Sequence, residues 1–187
     1  MSQMNRRTII LVLVAIALTG ATASRAHAAS AAKINKEVDV ALKNLYAANP
    51  AAKVVGENAK AVLVFPSIWK AGFIIGAQGG NGALRKGGKT AGYYNTAAAS
   101  YGLQAGAQAF GYALFFMTDS ALEYLDKHDG WEIGTGPSIV IIDKGFAKSL
   151  TSGTLGDDIY AIIFDQKGLM AGIGIQGSKI TKIHPGK

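Results

Sequence analysis

Two groups of side chains in this 187-residue chain have types and spacings that could do chemistry. The first is cationic. Arg85, Lys86 and Lys89 put three positive charges within five residues with no acid between them, and Lys33, Lys36 and Lys43 recur along one short segment. Clustered cations attract phosphate-bearing partners, each contributing about 1 kcal/mol near an anionic surface, an amount that falls with salt. The second group is the small set that could move protons or hold a metal: His128, His184 and the adjacent Asp157 and Asp158. Neither histidine has a partner at metal-ligand spacing. His128 falls at the end of a short helical stretch, where it complements the helix dipole. Asp157-Asp158 follows Gly153 and Gly156, as a solvated turn would. There is no G-x-S-x-G elbow and no cysteine, so hydrolysis has no visible nucleophile. The expectation is a protein that is not an enzyme, with no metal site and no cofactor.

Glycine-rich phosphate motifs fail on context. Gly172-x-Gly174-x-x-Gly177 fits the dinucleotide fingerprint by letter, but that chemistry needs a helix N-terminus directly after it and an acid about 20 positions on. A β-like Ser178-Lys179-Ile180-Thr181-Lys182-Ile183 and Pro185 follow instead. Around Lys89, Gly82-x-x-x-x-Gly87-Gly88-Lys89-Thr90 holds one residue too many for a P-loop, and the aromatic pair Tyr93-Tyr94 follows where a helix is required.

The elements that must position these residues begin with helix. Ile34, Val38, Ala41, Leu42, Leu45 and Tyr46 form one helical stripe over Lys33 to Ala47, with the lysines on the remaining faces. Asn49-Pro50 ends it, and a second, shorter helix is expected over Ala51 to Ala59. Then the chain becomes strand-like. Ala61 to Phe65, Gly72 to Gln78, Gly82 to Lys86, Thr90 to Thr96, Ser100 to Gln108 and Tyr112 to Met117 read as strands broken by glycine turns. Arg85 to Lys89 is read as an exposed hairpin tip. Ser120 and Glu123 suggest a capping box for a helix through Lys127. Trp131 to Ile142, Ile159 to Asp165, Leu169 to Gln176 and Lys179 to Ile183 supply the last strands.

Gly72-x-x-x-Gly76, Gly102-x-x-x-Gly106 and Gly168-x-x-x-Gly172 repeat one spacing. On an extended strand such pairs would bare one strip of the sheet to a close neighbour, so these six glycines are expected on strands against another backbone. The fold class is therefore α+β: N-terminal helices covering a curved, barrel-like, mostly antiparallel sheet.

The N-terminus reads as an export signal. Arg6 and Arg7 precede an apolar run from Ile9 to Leu18, and Ala26-His27-Ala28 gives a small-x-small cleavage site. The run is too short for a transmembrane helix, which needs about 20 residues. Cleavage after Ala28 leaves residues 29–187 as one domain in the periplasm or cell envelope, exported by ordinary secretion rather than by the twin-arginine route. Loss of Arg6, Arg7 and Arg25 from 19 basic residues, against 12 acids, lowers the formal charge from +7 to +4. That suits an anionic membrane surface and falls far short of a nucleic-acid-binding signature.

The segments Lys70 to Gly82, Tyr93-Tyr94-Asn95 through Tyr101 to Gln108, and Lys167 to Ser178 resemble the SYLF domain family, also described as a lipid-binding or yeast-type actin-binding domain. Ala59 to Pro66 and Phe116 to Leu122 fit as well, so the likeness runs from about Ile34 to Ile183. The stretch from Asp143 to Gly156 departs from the family's small-residue pattern. The resemblance implies a binding module. Eukaryotic members bind phosphoinositides and some bind actin, with the N-terminal amphipathic region implicated in membrane contact; bacterial members are commonly exported. Actin is an unsuitable partner for an exported bacterial-type protein.

The combined expectation is a non-catalytic, exported phospholipid-binding protein. It would use Lys33, Lys36, Lys43, Arg85, Lys86 and Lys89 for anionic headgroups and the helix stripe for apolar docking, on its own sheet or at a headgroup boundary. Two other readings remain open. One is a structural or antigenic envelope protein without a lipid ligand. The other is a small outer-membrane barrel, which the shortness of the strand segments argues against.

Overall fold

Ser30 opens the first helix, its hydroxyl accepting the Lys33 backbone N–H at 3.3 Å, and α1 runs over Ala31–Ala48. The computed structural model describes residues 30–72, 75–101, 106–127, 130–142, 153, 155–168 and 175–186. The expected export signal, His128, Gly102, Gly172 and most of the departing stretch at 143–156 lie outside the described residues. Asn49 ends α1 as predicted and also starts the next helix. Its Oδ1 accepts the N–H groups of Ala51 and Ala52 at 3.0 and 3.3 Å. Pro50 stands at the first position of α2 (Pro50–Asn58), where a missing N–H costs nothing.

Eight strands follow: β1 (Ala61–Gly72), β2 (Ile75–Lys86), β3 (Lys89–Tyr101), β4 (Gly106–Phe116), β5 (Trp131–Glu132), β6 (Ile139–Ile141), β7 (Ile159–Gly168) and β8 (Lys179–Ile183). They form one curled, half-barrel sheet in the order β5-β8-β3-β2-β1-β4-β7-β6, antiparallel throughout except where β6 runs beside β7. This is the α+β architecture the sequence predicts, helices first and then sheet.

Several elements differ from the sequence reading, each for a physical reason. The segments read as separate strands on either side of Gly79-Gly80 are the single strand β2. Its glycines are sites of close approach rather than turns: a Cβ on Gly80 would strike the Ser67 carbonyl, and one on Gly82 the Val64 carbonyl. Both carbonyls belong to the irregular part of β1, where the register slips between Val64 and Trp69 against β2 and between Phe65 and Ile68 against β4. Pro66 sits in that bulge, where the interrupted ladder does not need its missing N–H. The bulge bends the strand and adds to the curl. The short helix α3 (Asp119–Glu123) is capped by Thr118 and not Ser120: the Thr118 hydroxyl accepts the Ala121 N–H at 3.2 Å. A 3-10 turn over Tyr124–Asp126 continues it.

The repeated glycine spacing is also realised differently. Gly72 ends β1 and Gly76 lies near the start of β2, so the pair faces itself across a hairpin instead of lying along one strand. Gly106 pairs with Gly72 from the other side, giving a row Gly76–Gly72–Gly106 across three strands. Gly72 does abut backbone, since a Cβ there would stand 2.7 Å from the Ile75 carbonyl. Gly106 does not; its bare face meets open space.

The two sheet faces build two cores. The inner face gathers Leu63, Phe65, Ile68, Phe110, Tyr112, Leu114 and Phe116 with Trp131, Ile133 and Ile180, closed at one end by Ala121 and Leu125. The outer face receives the helices: Ile34, Val38, Ala41 and Leu45 of α1 and Val55 of α2 pack on Val62, Val64, Ala83, Ala113, Phe115 and Ile162. The α1 stripe is thus buried on the protein's own sheet. Among the described residues no helix is long and apolar enough to cross a membrane.

Candidate functional site

The hairpin and α1, read from sequence as two sources of positive charge, do meet, and their meeting consumes one of the charges. Gly87 and Gly88 carry positive φ (56° and 75°) and make the two-residue turn between β2 and β3. Lys86 and Lys89 stand exposed on either side of it. Arg85 is not exposed, contrary to the tip reading: it is 9% accessible. Its guanidinium donates to the Asn35 Oδ1 at 2.9 Å, the Asn35 carbonyl at 3.2 Å, the Asp39 Oδ1 at 2.7 Å and the Thr90 hydroxyl. Asn35 also donates to the Tyr93 hydroxyl at 2.8 Å. Arg85 therefore ties α1 to the hairpin. Asp39 is 68% exposed, so the ionic part of this contact is weak and the hydrogen-bond fork is the larger part. Arg85→Gln should lower stability by about 1–3 kcal/mol. Lys86→Gln and Lys89→Gln should leave the urea midpoint within error. Equal midpoints for all three variants would refute the structural role.

Lys33 and Lys36 line a groove of about 530 Å³ between α1 and the bulge of β1. Its apolar floor is Val40, Ala41 and Pro66, and its other polar members are Glu37, Asn44, Ser67 and Asp165. Lys33 lies 3.8 Å from Glu37, both side chains well exposed, so that pair is loose. Lys36 has no ion pair among the described residues. Asp165 holds the only positive φ of a described non-glycine residue, 50°, at an irregularity of β7 against β4. Lys43 is exposed farther along α1.

Residues proposed for chemistry are dispersed. His184 is exposed near the C-terminal end of the described chain. Asp158 accepts from the Ser138 N–H at 3.1 Å and lies 3.2 Å from the hydroxyls of both Ser138 and Thr118. The Ser138 backbone hydrogen bond, foremost, holds its carboxyl below the usual value. The Tyr160 hydroxyl donates to Asp157 at 3.3 Å. These two acids fasten the segment before β6 and the start of β7. Among the described residues no group of three His, Asp or Glu side chains has metal-site geometry.

Two features escaped the sequence reading. Inside the curl, Gln78, Lys70 and Gln108 stand side by side in register across β2, β1 and β4. Lys70 and Gln108 are 7% and 5% exposed, and Gln78 donates to the buried Ser178 hydroxyl at 3.1 Å. Outside, the sheet face that carries the helices continues past them, with no other described helix over it. Trp69 is 68% exposed and Ile75 70%. Only register pairing could have revealed either, because their members are far apart in the chain.

The fold and these surfaces define a class: a single curled sheet with N-terminal helices on its outer face, carrying a basic-rimmed groove and a bare apolar sheet end. Residues 97–184 match the family model Ysc84, described as Las17-binding protein actin regulator. That is the SYLF domain family, known for binding lipids and actin-related partners, which the Gly102 and Gly168 blocks resemble. No curated protein matches the chain.

Proposed function

We propose that this protein is a non-catalytic phospholipid-binding protein, exported to the periplasm or cell envelope after cleavage near Ala28. The observation that carries this reading is the groove beside α1. A phospholipid joins an anionic headgroup phosphate to apolar acyl chains, and the groove joins Lys33 and Lys36 to an apolar lining of Val40, Ala41 and Pro66. Its volume lies in the range of small-molecule sites, about 300–1,000 Å³. Glu37 and Asp165 offset the two lysines locally. The groove therefore reads a phosphate placed against the lysines rather than net negative charge, and Lys86 and Lys89 on the hairpin add long-range attraction. The acids named from sequence support the non-catalytic reading, because Asp157 and Asp158 are engaged in hydrogen bonds that hold the fold. The family's lipid binding favours the same class of ligand, and an exported protein has no actin to meet.

The test is calorimetric titration of the exported protein with short-chain phosphatidylglycerol below its micelle concentration. Lys33→Gln/Lys36→Gln should weaken binding about tenfold or more, at roughly 1 kcal/mol per lysine. Thermal stability should hold, since both side chains are exposed. Undiminished binding by this variant, or no binding by the wild type, would defeat the proposal. Fractionation with N-terminal sequencing of the exported product checks the location and the cleavage site.

A further inference from the structure

Among the described residues, the outer face of the sheet has a part covered by α1 and α2 and a bare part. Strand pairing aligns the bare part into rows. One row runs Lys179, Ala97, Gly79, Trp69, Ala109, Lys167 across β8, β3, β2, β1, β4 and β7. Two positions farther from the helices, the next row on the same face runs Ala99, Ala77, Ala71, Ala107. Ile75 lies two residues beyond Ala77 on that face. The four alanines of the second row are exposed, as are Ala97, Lys167 and Lys179. The small side chains make the surface low and even, and Trp69 and Ile75 rise from it as the two most exposed large apolar side chains described.

We infer that this bare sheet end is a docking face for an anionic bilayer surface. The inference rests on the lipid reading above and adds a second, separate contact. Three observations choose this occupant. An indole exposed on an apolar surface is suited to the membrane interface, where its ring meets the acyl boundary and its N–H meets water and headgroups. A contiguous apolar patch on a soluble face marks an interaction site. The two ends of the Trp69 row are cationic: Lys167 and Lys179 stand five strand spacings apart, about 24 Å measured along the curled sheet, with only Gly, Ala and Trp between them. Their ammonium groups would reach headgroup phosphates while Trp69 and Ile75 enter the boundary, the division of labour of an interfacial amphipathic surface. Pro66 and Ser67, which line the groove, lie just before Trp69 on β1. Docking this face therefore brings the groove to the membrane surface.

The chain itself supplies a probe. It has two tryptophans, and Trp131 is 1% exposed in the inner core while Trp69 is open. Vesicles of phosphatidylglycerol and phosphatidylcholine should shift the emission of the full protein to the blue, and brominated acyl chains should quench the Trp69 component and spare that of Trp131. Ala77→Glu places an acid in the middle of the face at an exposed position, so the fold should persist while flotation with vesicles is lost. Lys167→Gln/Lys179→Gln should weaken flotation about tenfold or more and flatten its salt dependence.

Wild-type flotation matched by Ala77→Glu, with no quenching of Trp69, would overturn the docking face and leave the groove standing. Binding of monomeric short-chain lipid without binding of vesicles would do the same. Binding of neither would bring down the lipid reading and this inference together. A dimer in sedimentation that Ala77→Glu dissolves, without vesicle binding, would assign the face to a second copy of the chain and overturn the bilayer assignment.

Discussion

Gly82→Val is expected to abolish soluble folded protein, or to cost more than about 4 kcal/mol where some survives. Gly82 lies on β2 directly beside the bulge of β1. A side chain there would run into the Val64 carbonyl, with its first carbon 2.7 Å from the Phe65 ring. Neither obstacle can move. The Val64 carbonyl belongs to a central strand hydrogen-bonded on both sides, and Phe65 is fully buried and packed at a tilt against Tyr112, with ring centroids 4.8 Å apart. Relief would require β1 and β2 to separate, and these are central strands of the sheet. Typical domains have only about 5–15 kcal/mol of total stability, so a loss of this size shows as aggregation or proteolysis. Gly79→Ala is the internal control. It lies on the same strand, its Cβ meets only the Thr96 carbonyl at 3.2 Å, and its cost should stay below about 1 kcal/mol. A wild-type urea midpoint for Gly82→Val would mean that the sheet closes differently.

That contrast shows what the sequence could and could not reveal. Helix α1 was legible because Ile34, Val38, Ala41 and Leu45 recur at helical spacing, and all four are buried. The hairpin at Gly87-Gly88 was legible because adjacent glycines with flanking strands define a two-residue turn. Glycines 79 and 80 read as punctuation because a glycine that ends a strand and one that admits a neighbouring backbone look alike in one dimension. The misreading shortened the strands. With β1 to β4 at 11–13 residues, length no longer argues against an outer-membrane barrel. Packing argues against it instead, since the inner face is filled with aromatic side chains and half of the outer face is sealed by helices.

The site was only partly legible for the same reason. Lys33 and Lys36 stand one helical turn apart and share a groove. Arg85 could not be told from Lys86 by type, yet strand alternation turns it toward Asn35 and Asp39, where α1 covers it. The row from Lys179 to Lys167 draws on six strands, so no local window contains it.

Val38→Asp carries the second large expected effect, and it decides how α1 takes part in function. Val38 is 0% exposed, packed between α1 and the sheet. A carboxylate there would have no partner in an apolar interface and would cost about 3–5 kcal/mol or force α1 off the sheet. The expected result, without any lipid present, is a large fall in thermal midpoint with increased binding of a hydrophobic dye. Val40→Asp supplies the comparison: Val40 is 53% exposed where the same helix lines the groove, and its stability should stay within about 0.5 kcal/mol of wild type. An amphipathic helix held off the sheet in water, free to lie in a bilayer, would behave in the opposite way. Val38→Asp would then keep its midpoint in water and lose only membrane binding. Detaching α1 would also expose Val62, Val64 and Phe115 and break the Arg85 fork to Asn35 and Asp39. The sheet end bearing Trp69 needs no such rearrangement, because Trp69 and Ile75 are already exposed and no described helix lies over them. Membrane contact through the sheet, with α1 left in place to form the groove, is therefore the arrangement that keeps both cores intact.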